Sequence, residues 1–131
     1  MELHERRALL KPAPNPGTGR DYVVTLRGTL KLNGLAGETA AIIRYVPDRE
    51  IVEPENFQHY LTTIQSLEWE SLEAAAVAIL GDISNELVSR WTQVALKHQP
   101  AGDALHEHDI SIEDNQPGWH NEDLLYRLPP I

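Results

Sequence analysis

From Tyr22 to Leu32 the residues Tyr22, Val24, Leu26, Leu30 and Leu32 alternate with Val23, Thr25, Arg27, Thr29 and Lys31. A period of two over that length predicts a long half-buried strand. Asn33-Gly34 follows, a turn pair because both residues tolerate positive φ. A second strand is expected from about Thr39 to Val46, stopping at Pro47-Asp48, and the two should form a hairpin. The period then changes. Phe57, Tyr60, Leu61, Ile64 and Leu67 recur at helical spacing, and Pro54 suits a first helical turn. After a break near Ser66–Ser71, the stripe Leu72, Ala75, Ala76, Ile79, Leu80, Ile83 and Leu87 predicts a longer helix. Gly81 within it costs roughly 1 kcal/mol against alanine, so close packing is expected there. Two strands complete the pattern, Trp91 to His98 and about Leu105 to Glu113.

That order predicts an α+β domain of ββααββ type, a four-stranded antiparallel sheet with two helices on one face. Residues 1–16, with Pro12, Pro14 and Pro16, read as an extended N-terminal arm. Residues 17–114 form the domain. Residues 115–131, with Pro117, Gly118, Pro129 and Pro130, read as a C-terminal tail. Exposed sheet edges in such a unit invite pairing with copies of itself, so a homo-oligomer is expected.

Charge narrows the partners. Twenty acidic residues against eleven basic ones give a formal net charge of −9, which opposes binding to a nucleic-acid backbone. No stretch approaches the roughly 20 apolar residues that span a bilayer, and the charged first residues do not resemble a signal peptide. A cytoplasmic protein with no membrane partner is the expectation. The sequence holds no cysteine, which excludes disulfides, thiolate metal sites and thiol nucleophiles.

Several segments carry a resemblance. Asn15-Pro16 and Arg20-Asp21-Tyr22 lead into the first strand, Ile43-Arg44-Tyr45-Val46-Pro47-Asp48 and Ile51-Val52-Glu53 leave the second, and Gln116-Pro117-Gly118-Trp119 closes the pattern. Together these segments resemble the NADPH-dependent nitrile reductase family of queuosine biosynthesis, over about Asn15 to Trp119. That family has the tunnelling fold, in which sheets of several subunits join into a barrel around a tunnel.

The resemblance also implies what has changed. It places the family's nucleophilic cysteine near Leu30 and its acidic partner near Gly37 or Glu38. A nitrile carbon needs a thiolate to form a covalent thioimide. The family's cofactor motif falls on Glu53–Tyr60, where Glu53 and Tyr60 remain but its two lysines have become Glu55 and Gln58. A phosphate would lose its cations there, which argues against NADPH. Glu73 aligns with the glutamate that anchors a purine- or pterin-like ring, if one residue is inserted in the preceding loop. A carboxylate accepts two parallel hydrogen bonds from a ring N–H and an exocyclic amine. The plainer reading of Glu73 is a first-turn acid favoured by the helix dipole.

One further constellation has metal-like spacing. His106 and His108 would share a strand face, and His98 could join them from the neighbouring strand. Three imidazoles can hold zinc with an open position. Pterin synthases of the same fold use a His-x-His pair, but in the early strands. Solvated strand histidines are the plainer alternative. Trp69, Trp91 and Trp119 are expected in the core or at interfaces. Three functions stay open: a heterocycle-binding protein anchored by Glu73, a metal-assisted tunnelling-fold enzyme, and an oligomeric scaffold without small ligand.

Overall fold

The computed structural model describes residues 1–131. Its elements in chain order are α1 (Leu3–Ala8), β1 (Ala13–Pro14), β2 (Val24–Leu30), β3 (Gly37–Val46), β4 (Glu50–Ile51), α2 (Pro54–Ser66), α3 (Leu72–Leu87), β5 (Trp91–Pro100), β6 (His108–Asn115) and α4 (Glu122–Tyr126). The four long strands form one antiparallel sheet in the order β2-β3-β5-β6, and the short strands β1 and β4 pair separately. Without its short additions the order is the expected ββααββ, and the fold class is α+β.

Alternation decides which side of the sheet meets the helices. Leu26 lies opposite Ile43, Ile43 opposite Val94, and Val94 opposite Ile112, so these residues share a face. Phe57, Tyr60, Leu61 and Ile64 of α2 and Leu72, Ala75, Ala76, Ile79 and Ile83 of α3 are buried in one core with that face. Gly28 lets α2 approach β2, since a Cβ there would lie 2.7 Å from Cδ1 of Leu61. Gly37, at φ +127°, starts β3 so close to β5 that a Cβ would meet the Gln99 carbonyl oxygen at 2.1 Å. Neither position admits a side chain without movement.

The ends of the chain differ from their expected forms. The arm is not extended throughout, because residues 3–8 form a helix and Leu10 is fully buried. The cause is Asp82 on α3, which is itself fully buried. It accepts from Arg6 Nε at 2.6 Å, Arg6 Nη2 at 2.7 Å, Arg7 Nε at 3.0 Å and Tyr60 Oη at 2.5 Å. Gly81 lies beside this cluster, but a Cβ there would meet only Arg7 Nη2, at an ordinary contact of 3.4 Å, so the expected close packing is not tight enough to require glycine. The tail also holds a short helix, α4, capped by Asn121 accepting from the Leu124 amide at 3.2 Å. The last strand starts at His108, and Leu105 before it is fully exposed. No helix is long and apolar enough to cross a membrane.

Candidate functional site

The strand registers place Leu30 opposite Thr39, Thr39 opposite His98, and His98 opposite His108. These four residues form one row across the helix-facing side of the sheet, near the end where β3 begins. Its two ends lie on the two edge strands, β2 and β6, three strand spacings apart, or about 14 Å. Thr39 is fully buried and its Oγ1 lies 2.7 Å from Nδ1 of His98, which is also buried. His108 is half-buried at the edge.

Glu73 reaches this row from above. The Ser71 hydroxyl accepts from the Ala74 amide at 3.0 Å and fixes the start of α3, which puts Glu73 in the first turn. Its Oε2 lies 3.2 Å from Nε2 of His108, and its side chain is 62% exposed. A contact so open to water contributes little to stability. Its other carboxylate oxygen has no partner, so the group presents a free acceptor at the sheet edge.

The three imidazoles proposed for zinc are not brought together. His98 and His108 are cross-strand partners, but His106 precedes the strand and is exposed. No three His, Asp or Glu side chains cluster in a metal-holding group. The strand begins too late for His106 and His108 to share its face. Glu38 also falls away from the row. It pairs with Gln99 and lies on the opposite face, beside Thr29, Lys97 and Asp109 in a shallow cavity. Glu53 precedes α2 without capping it through its side chain. Tyr60 is a core residue. Burial first, then the charge of Asp82 and its hydrogen bond, hold its hydroxyl far above the ordinary tyrosine pKa. Neither end of the supposed cofactor motif shares a site with Glu73.

The segments that carry the family resemblance meet at the other end of the molecule. Arg90 donates to Asp21 Oδ1 at 2.7 Å and to Asp48 Oδ1 at 3.3 Å. Gln116 Nε2 donates to Asp48 Oδ2 at 3.1 Å, and Trp119 Nε1 to Asp21 Oδ2 at 3.3 Å. Asn15 donates to the Asp48 carbonyl at 2.8 Å and accepts from the Tyr22 hydroxyl at 2.5 Å. On Asp21, burial is the largest influence and raises the pKa. The hydrogen bonds from Asn121, Arg90 and Trp119 together outweigh it and leave the group below the usual carboxylate range. On Asp48 the Gln116 hydrogen bond lowers the pKa against burial, with help from Arg90. This network ties the lead-in to β2, the exit of β3, the start of β5 and the end of β6. It holds the sheet's connections together.

Each of the three tryptophans donates its indole N–H to an acceptor within the fold. Trp69 donates to the Ile64 carbonyl at 2.7 Å, Trp91 to Glu113 Oε2 at 2.7 Å and Trp119 to Asp21. Sequence reasoning missed the Thr39–His98 contact, which depends on register, and Asp82, a polar residue hidden inside an apolar stripe.

No protein-family profile matches the chain. Among curated proteins, the NADPH-dependent 7-cyano-7-deazaguanine reductases of two strains of Acidithiobacillus ferrooxidans are each 28% identical over 122 residues, covering 89% of this chain and 84% of theirs. The chain is a distant relative of these reductases. The similarity runs through most of the chain, so it takes in the sheet, both long helices and the row from Leu30 to His108.

Proposed function

We propose that this is a nitrile-reductase-like tunnelling-fold protein that binds a purine- or pterin-like heterocycle and does not reduce a nitrile. Glu73 is the anchor. Its free carboxylate oxygen and the one shared with His108 suit a ligand edge that offers a ring N–H and an exocyclic amine. Leu30, where the resemblance expects a nucleophile, is a buried aliphatic side chain in a chain without cysteine. The site therefore keeps a recognition group and lacks the group that would make the covalent bond.

The observation that carries this reading is the position of the row's two ends. Leu30 and the Glu73–His108 pair sit at the same level of the sheet but on opposite free edges. Within one chain they are too far apart to hold one small ring. Pairing of β6 in one copy with β2 in the next continues the antiparallel alternation and brings the two ends together. The proposed protein is accordingly a homo-oligomer whose sites lie between subunits. A thermal-shift panel tests the ligand class. Guanine-type compounds should raise the melting temperature, and adenine-type compounds, which lack the amide-plus-amine edge, should raise it less. Equal or absent shifts would leave an oligomeric scaffold as the better account.

A further inference from the structure

The outward face of the sheet carries features that the Glu73 site does not use. Residues 121–131 fold back over it, and between this tail and the strands lies an open cleft of about 430 Å³. Arg44 and Gln93 line it from the sheet, Trp91 contributes an aromatic wall, and Leu125 and Leu128 contribute apolar ones. Glu113 and Glu122 also face it, and Tyr126, largely exposed, stands at its mouth.

Arg44 is the unusual member. It is only 7% exposed, yet it forms no salt bridge. Its Nε donates to Gln93 Oε1 at 2.8 Å and its Nη1 to the Pro129 carbonyl at 2.6 Å, both neutral acceptors, while Nη2 donates to nothing. A buried guanidinium with no hydrogen-bonded anion is costly, and the charge of Glu113 nearby offsets only part of that cost. Burial first, and then the charge of Arg27, lower its pKa, with Glu113 acting in the opposite sense. Glu113 is held by the Trp91 indole, and Glu122 opens the first turn of α4. An anion alone would meet both carboxylates, and a cation alone would meet Arg44.

We propose that this cleft binds a small zwitterion of the amino-acid type, its carboxylate on Arg44, its ammonium toward Glu122 and its apolar side chain against Trp91 and Leu125. The site is on the opposite sheet face from Glu73 and does not depend on the reading of that residue.

Titration calorimetry of the full chain with L-phenylalanine and L-leucine, beside 3-phenylpropionate and phenethylamine, is the test. The zwitterions should saturate a site, and the two singly charged analogues should bind roughly tenfold more weakly or worse, the usual consequence of losing one charged hydrogen bond. Arg44→Gln should lower zwitterion affinity by a similar factor. Glu122→Gln, at an exposed position that does not threaten folding, should weaken the zwitterions and leave 3-phenylpropionate unchanged or improved. No saturation by either amino acid at about 10 mM, equal binding of the acid alone, or wild-type affinity in Glu122→Gln would overturn the proposal.

Discussion

The hydroxyl of Tyr60 on α2 donates to Asp82 on α3 at 2.5 Å, and the same carboxylate receives Arg6 and Arg7 from α1. One fully buried acid thus joins three helices. Asp82→Asn would keep the shape but leave two arginines facing a neutral group. We expect a stability loss of about 3 kcal/mol, the low end for breaking a buried pair, because both arginines keep some contact with water. Tyr60→Phe should cost less, about 1.5 kcal/mol, since Asp82 retains its cations. Denaturant unfolding gives both values, and hydrogen exchange should show α1 losing protection in Asp82→Asn. Retained protection there would contradict the role assigned to Asp82.

A second expectation concerns acid. Asp21 and Asp48 both have folded-state pKa values below the ordinary carboxylate value. A depressed folded pKa stabilises above the unfolded value, about 3.9, and that stability is lost as pH falls through the folded one. Stability should therefore drop below about pH 4, and Asp21→Asn with Asp48→Asn should flatten that drop while lowering stability at neutral pH. An unchanged acid slope in the double variant would show that the network does not control it.

Free edges on β2 and β6 lead to a third. Light scattering at micromolar concentration should give a mass that is a multiple of 14.7 kDa. A monomer would remove the intersubunit site.

These expectations rest on parts of the molecule that were unequally legible in the sequence. The strand alternation from Tyr22 to Leu32 and the helical stripe from Leu72 to Leu87 are driven by burial of one face, and burial leaves its period in the residue order. The folded N-terminal segment left no such period. Its helix is only six residues long, and its docking depends on Asp82, more than 70 positions away. The metal reading failed on a boundary, since starting β6 at His108 rather than Leu105 takes His106 off the strand. Glu73 was legible through resemblance, but its pairing with His108 needed the packing of α3 over the edge strand. The recognisable motifs, from Asn15 to Trp119, turned out to hold the sheet's connections.

Nitrile reduction should be absent. Purified protein with NADPH and 7-cyano-7-deazaguanine should consume no more cofactor than the mixture without protein. Leu30→Cys alone should not restore turnover, because Glu55 and Gln58 would still stand where the resemblance expects lysines. Substrate-dependent oxidation of NADPH by the wild type would contradict the loss of the parent chemistry.

Glu73 decides the account. Calorimetric titration of wild type and Glu73→Gln with guanine-type and adenine-type ligands measures its part directly. Wild type should bind the guanine type more tightly. The variant should lose roughly 1.5–3 kcal/mol of that binding, the range for a hydrogen bond to a charged group. Its folding stability should fall by no more than about 1 kcal/mol, because a first-turn acid on an exposed helix end contributes little. If wild type binds neither ligand, or the variant binds as well as wild type, Glu73 is a helix-end acid and the heterocycle site does not exist.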